Sequence, residues 1–247
     1  MNEKRIDVLG VGFDNFTMEE AVDEGVRLMN EPGAHYVVTP NPEIVEICRE
    51  DAEARGAVNS ADLVIPDGIG VIYGAKILGT PLKQKLPGIE FAERLMEKMA
   101  QEKKTLYLLG AKPGIAEQAA EKLRETYPGL TIAGTHDGYF QKDETVVADI
   151  RASMADVVFV CLGAPKQEKW MAHNGTATGA HLLLGLGGSL DVFAGVVQRA
   201  PEIFSKTGME WFYRLLKQPS RIGRMMKLPL FLVHVVGKKG KTDAARS

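Results

Sequence analysis

Five short stretches of this 247-residue chain carry residues that could do chemistry, and each follows an apolar run. Thr39-Pro40-Asn41 follows His35-Tyr36-Val37-Val38, and Pro66-Asp67-Gly68 follows Leu63-Val64-Ile65. A carboxylate at Asp67 can take a proton from a hydroxyl within hydrogen-bond reach. The structural alternative is an Asp that caps a helix or shapes a turn. Gly110-Ala111-Lys112-Pro113-Gly114 follows Thr105–Leu109. Free N–H groups at a helix start there would favour a diphosphate. The stretch is not GxGxxG and lacks the acidic partner of a dinucleotide site, so a plain tight turn competes. Pro165-Lys166-Gln167-Glu168, with Trp170, follows Val157–Cys161. Amides and acids suit sugar hydroxyls, and a ring suits a sugar's apolar face; the alternative is a charged first turn with Trp170 in the core. Gly187-Gly188-Ser189-Leu190-Asp191 follows His181–Leu184. Its glycines allow close backbone approach to a ligand. Asp191 could accept from a ribose hydroxyl or a uracil N–H, or either Ser189 or Asp191 could cap a helix.

A sixth stretch is different in kind. Arg214, Lys217, Arg221 and Arg224 are spaced three, four and three apart, so a continuous helix would carry them on one face. Pro219 interrupts that helix. From Phe204 to Ser247 the chain holds ten Lys/Arg and two acids, a net of +8. The other 203 residues hold twenty basic and thirty acidic groups, a net of −10. An acidic body with a basic end points to a polyanionic partner for that end alone. Trp211, Phe212, Leu215, Met225 and the run Leu230–Val236 interleave with the cations. That mixture suits an anionic bilayer surface better than nucleic acid. The alternative is a terminal helix packed on the body with a solvated basic face.

Composition narrows the classes. Hydrophobic residues make up 45% and charged residues 25%, an ordinary globular balance that excludes disorder and a disulfide scaffold. Cys48 and Cys161 stand far apart, and the five histidines form no metal-ligand spacing. With no Asp-x-Asp either, a metal-bound diphosphate is not indicated. No apolar run approaches the roughly 18 residues of a membrane span. Met1–Asp7 has no apolar core of a signal peptide, so a cytoplasmic chain is expected.

The apolar runs are short and do not alternate with polar residues. Strands buried on both faces read this way. Helical patterns lie between several of them, at Ile89–Met99, Ile115–Tyr127 and from Glu43 onward. Strand, turn and helix in repetition predict an α/β fold: a Rossmann-like parallel sheet with helices on both faces. A basic C-terminal helical appendage would follow. The expected division is a catalytic body over 1–200 and a membrane-associating appendage over 201–247. Ligands bind such sheets outside the carboxyl ends of the strands, where all five stretches would gather.

Taken together, Thr39-Pro-Asn41, Pro66-Asp67-Gly68, Gly110-x-x-Pro-Gly114, Gly163-Ala-Pro-Lys-Gln-Glu168, Gly187-Gly188 and Glu210-Trp-x-Tyr-Arg214-Leu resemble one family. It is the TagA/WecG family of bacterial N-acetylmannosaminyltransferases and related sugar transferases. The resemblance runs from about residue 5 to 232 and rests on the combination and order of the motifs.

The resemblance implies an inverting, metal-independent glycosyltransferase without a cofactor. It would move N-acetylmannosamine from UDP to the GlcNAc 4-hydroxyl of an undecaprenyl-diphosphate-linked acceptor, feeding wall teichoic acid or a related surface polymer. It assigns Asp67 as general base. It places Thr39, Asn41 and Gln167 at the sugar or acceptor, with Lys85 where relatives usually carry an Arg. Lys keeps that charge but not the bidentate fork. Arg214, Arg221 and Arg224 match the family's tail arginines near the diphosphates and the membrane. Gly110, Tyr139, Gly187, Gly188 and Asp191 are assigned to the UDP pocket. The expected partners are a UDP-sugar, the lipid-linked acceptor and the inner face of the cell membrane; nucleic acid is not among them, and a homo-oligomer is compatible. Two alternatives stand beside this reading. One is a same-family transferase using another UDP-sugar, such as glucose or N-acetylmannosaminuronic acid. The other is a non-catalytic, nucleotide-binding membrane module.

Overall fold

The computed structural model describes residues 5–198 and 227–244. Arg214, Arg221 and Arg224 lie outside the described residues, as does the expected boundary at 200/201. Six strands form one parallel sheet: β3 (His35–Val38), β4 (Leu63–Val64), β5 (Thr105–Gly110), β6 (Thr131–His136), β7 (Val157–Cys161) and β8 (Leu182–Gly185). Their spatial order is β4-β3-β8-β7-β5-β6. This is the expected α/β architecture.

Alternate residues of each central strand enter different cores, which explains the unbroken apolar runs. Leu106, Leu108, Val157 and Phe159 face α1 (Met18–Asn30), α5 (Gly88–Glu102), α6 (Ile115–Thr126) and α9 (Ser189–Phe193). Tyr107, Leu109, Val158 and Val160 face the other core. It is covered by α2 (Pro42–Glu50), α3 (Ala52–Asn59), α4 (Ile69–Ile77), α7 (Asp143–Ser153) and α8 (Lys166–Thr178). A final helix, α10 (Lys227–Ala244), joins that second face against α2 and α4.

Local chemistry sets the helix starts. Thr17 and Glu20 close a capping box at α1, each side chain taking the other's backbone N–H. Asn41 caps α2, with Pro42 at the first helical position, where proline's missing N–H costs nothing.

The structure differs from the sequence reading in three elements. The run Ile6–Gly10 does not enter the sheet. It forms β1 (Ile6–Val8), paired antiparallel with β2 (Val11–Phe13) in a separate hairpin. Leu9 and Gly10 both take positive φ (56° and 93°), as a two-residue hairpin turn requires. The edge strand β6 was not visible because its Thr131-Ile-Ala-Gly-Thr-His136 sequence is only weakly apolar. β4 shrinks to two residues, an edge strand that needs only one neighbour.

α10 docks through Phe231 and Val235, both fully buried. Gly74 of α4 makes room for them: a Cβ there would lie 2.7 Å from Phe231 Cζ. Gly70 makes room for Leu228 in the same way, at 2.8 Å. His234 Nδ1 lies 2.9 Å from Oε2 of Glu46, which is itself buried on α2 and also accepts from Arg49.

Candidate active site

The carboxyl edge of the sheet carries two unlike regions. The first lies at the crossing of connections. β5 leads through α6 outward to β6, whereas the adjacent β7 leads through α8 the opposite way to β8. Loops that leave in opposite directions open a crevice between two strand ends. A cavity of about 590 Å³ sits there. Lys112, Tyr139, Phe140, Lys166 and Asp191 are among its lining residues.

The backbone shapes this cavity. Gly110 has φ +130°, and a Cβ on it would meet the Cys161 carbonyl oxygen at 2.3 Å. The glycine is therefore required by the close approach of β7, a packing role that the sequence reading did not include in its nucleotide assignment. Gly138 N–H donates to Ala111 O at 2.9 Å and ties the loop after β6 to the loop after β5. Asp137 Oδ1 accepts from Tyr139 N–H at 2.7 Å and turns the loop, leaving the Tyr139 ring 68% exposed at the rim. Lys166 Nζ donates to Gly138 O at 3.2 Å and lies 4.5 Å from the Phe140 ring centroid. Its ammonium group is thus held at the cavity. Lys112 precedes α6, and Lys166 opens α8, so two cations and two helix N-termini converge on one crevice.

The second region lies at the ends of β3 and β4. Asp67 N–H donates to Pro40 O at 3.1 Å, which holds the Asp67 loop against Thr39-Pro-Asn41. Leu86 N–H donates to Pro66 O at 2.8 Å and brings half-buried Lys85 to the same place. Asp67 is half-buried. The N-cap of α4 is Gly68, one residue beyond Asp67. Thr39 is buried, its Oγ1 donating to Gly185 O at 3.1 Å. Gly88, at the start of α5, presses against it: a Cβ there would lie 2.9 Å from Thr39 Cγ2. Asn41 uses Oδ1 to accept from Ile44 N–H at 3.0 Å.

The β8–α9 loop joins the two regions. Thr39 grips Gly185 from one side. From the other, Gln167 Oε1 accepts from Gly187 N–H at 2.9 Å. Gln167 is only 2% exposed, and its Nε2 donates to Glu168 Oε1 at 2.8 Å. Its observed bonds are therefore to the loop and to Glu168. Trp170 is in the core, as the structural alternative had it. Gly188 caps α9 with no side-chain bond, which leaves half-buried Asp191 lining the cavity.

The structure thus gathers Thr39, Asn41, Asp67 and Lys85 in one region, and Tyr139 and Asp191 in the other. Gly187, Gly188 and Gln167 lie at the joint. Sequence reasoning missed Lys112 and Lys166 as site residues. Each stands in the first residues after a strand, a position that marked them both.

Comparison with known proteins gives the family. The family model described as the glycosyl transferase WecG/TagA/CpsF family matches residues 6–245. The chain belongs to that family. Members similar to it in sequence include proteins of Staphylococcus aureus strains MW2, NCTC 8325 / PS 47 and COL. Each is named N-acetylglucosaminyldiphosphoundecaprenol N-acetyl-beta-D-mannosaminyltransferase. Each is 36% identical over 248 residues, covering 99% of this chain and 97% of the relative. The resemblance read from the motifs is therefore a family membership, and this WecG/TagA/CpsF chain is a glycosyltransferase on a parallel α/β sheet. Among the described residues, no helix is long and apolar enough to cross a membrane.

Proposed function

We propose that this glycosyltransferase moves N-acetylmannosamine from UDP to the GlcNAc 4-hydroxyl of an undecaprenyl-diphosphate-linked acceptor, with inversion and without a metal ion. The observation that carries the reading is the division of the sheet edge: a strand-end carboxylate in one region, a cation-lined cavity in the other. The relatives' names supply the acceptor and the sugar.

The cavity takes the UDP. Tyr139 offers its exposed ring to the base, and Asp191 accepts from a ribose hydroxyl or the uracil N–H. Lys112, Lys166 and the N-termini of α6 and α8 face the diphosphate. Asp67 removes the proton of the acceptor hydroxyl, whose oxygen forms the new bond at the anomeric carbon while the bond to UDP breaks. The electron pair of that bond leaves on the diphosphate, where the cations stabilise it. Among the described residues, no three His, Cys, Asp or Glu side chains are placed to hold a metal. In this reading the lysines and the tail arginines carry the charge instead. Asn41 and Lys85 position the acceptor beside Asp67.

The lipid-linked acceptor requires a membrane surface. On α10, Leu230, Val233 and Val236 are exposed, with exposed Lys238 and Lys239 following. Apolar residues beside cations suit an anionic leaflet. The protein then works as a peripheral protein on the inner face of the cell membrane.

The test is UDP release from UDP-N-acetylmannosamine in EDTA, with and without a lipid-diphosphate-GlcNAc acceptor. Acceptor-dependent release is expected. Release only from UDP-glucose or another UDP-sugar would replace the donor and keep the site; no release from any would overturn the reading.

A further inference from the structure

Glu168 is a buried acid with no place in the chemistry above. It is 1% exposed, lies one residue beyond Gln167 on α8, and takes the Gln167 Nε2 donor at 2.8 Å. Its second oxygen, Oε2, has no hydrogen-bond partner. A carboxyl group is costly to bury, and an apolar residue would fill the same space without that cost. Something at this point needs an acceptor.

The bond pattern shows what does. Gly187 N–H is a fixed backbone donor, and it points to Gln167. The amide can satisfy it only with its oxygen, which turns Nε2 the other way, into the interior. Without an acceptor there, the amide would gain by flipping or leaving, and Gly187 would lose its partner. Glu168 Oε1 is that acceptor. Gln167 also packs on the strand end: a Cβ at Gly185 would lie 3.1 Å from Nε2. Thr39 holds the carbonyl of the same Gly185.

We propose that Glu168 is a positioning residue that locks the Gln167 amide, and through it the Gly187 joint that aligns the UDP cavity with the Asp67 region. Burial pushes the Glu168 carboxyl above the ordinary carboxylate value, and the Gln167 bond offsets this only in part. In either protonation state Oε1 remains an acceptor for Nε2. This deepens the reading of the cavity as a nucleotide site, but the joint itself is testable without a ligand.

The test uses the full chain and three proteins: wild type, Glu168→Leu and Glu168→Gln. Glutamine keeps a carbonyl oxygen in place of Oε1; leucine removes it. Amide hydrogen exchange is followed over residues 186–191, with the β5 amides as internal reference. In Glu168→Leu, exchange at 187 should rise by about tenfold, the scale of one lost buried hydrogen bond, while β5 keeps its protection. Glu168→Gln should stay close to wild type. UDP affinity, measured by calorimetry, should fall by about tenfold in the leucine variant and recover in the glutamine variant. Unchanged exchange in Glu168→Leu overturns the proposal, as does equal loosening in Glu168→Gln, which would mean that an ionised carboxylate is needed. If wild type binds no UDP, the nucleotide reading fails and the exchange result still decides the joint. Should Glu168→Leu not fold, Glu168→Met tests the same link. It fills the space with a flexible side chain but offers Nε2 no oxygen acceptor, so exchange at 187 must rise.

Discussion

The two regions of the carboxyl edge are built on opposite plans. At β3 and β4 the loops are packed and cross-tied: Asp67 to Pro40, Leu86 to Pro66, Thr39 to Gly185, Asn41 to Ile44. At β5 and β7 the loops, though tied from Gly138 to Ala111 and from Lys166 to Gly138, frame about 590 Å³ of open space, with Tyr139 mostly exposed. A proton acceptor must be held within hydrogen-bond reach of one hydroxyl, so rigid packing serves it. A nucleotide has to enter and leave, so an open crevice lined by exposed cations serves it. The lesson is that one sheet edge can host both, provided a third element keeps them in register.

The largest expected effect tests that division directly. Asp67→Asn should lower acceptor-dependent turnover by about 10²- to 10⁴-fold, the usual weight of a general base. UDP affinity should not change, because the substitution lies in the packed region. A parallel loss of UDP binding would break the comparison.

Next comes the packing of the open region. Gly110→Ala combines a positive φ with a contact of 2.3 Å to Cys161 O, both on backbone that cannot yield. A loss of about 3 kcal/mol in urea unfolding is expected. Gly187→Ala meets nothing within 4 Å and has only its φ of +54° against it. It should cost about 1 kcal/mol. Equal costs at both glycines would mean that Gly110 is not pinned by β7.

A smaller effect separates charge from packing. Lys112→Ala and Lys166→Ala should each weaken UDP binding by about tenfold in calorimetry, as expected for one charge-assisted contact. The loss should shrink as salt screens the contacts. Lys112→Ala should not alter unfolding by denaturant, since that side chain is exposed, whereas Lys166→Ala should cost about 1 kcal/mol for its contacts to Gly138 O and the Phe140 ring. A destabilised Lys112→Ala protein would mean that Lys112 holds the loop and not a ligand.

The smallest effect concerns the joint. Glu168 has its carboxyl raised by burial above the ordinary 4.5, so the folded state holds its proton more tightly than the unfolded chain. Its contribution to stability is complete below about pH 4.5 and is lost as pH rises toward the folded value. The slope can reach at most about 1.4 kcal/mol per pH unit for one proton. Denaturant titrations from pH 4 to 8 should show Glu168→Gln gaining on wild type as pH rises. Parallel curves would place an ionised carboxylate in the core.

Much of this was legible before any coordinates. Unbroken apolar runs ending in glycine or proline foretold a parallel sheet, because such runs can be buried only on both faces. They also placed Thr39, Asn41, Asp67, Gln167 and Asp191 on one edge, since every parallel strand delivers its end to the same side. The motif set marked the glycosyltransferase family, which the match over residues 6–245 shows. Ile6–Gly10 misled because three apolar residues pair as readily in a hairpin as in a sheet.

The sequence by itself determined the fold class, the family and the edge, since each depends on patterns local in the chain. Only the tertiary structure decided which strands adjoin. Strand order set the crevice between β5 and β7 and so made Lys112 and Lys166 neighbours, 54 positions apart in the chain. It also gave Gly110 a steric reason in Cys161, and it turned Gln167 and Glu168 from an exposed first turn into a buried brace. The packing of Gly110 on Cys161 and of Gln167 on Gly187 joins residues remote in sequence, and no local pattern encodes the order in which strands meet.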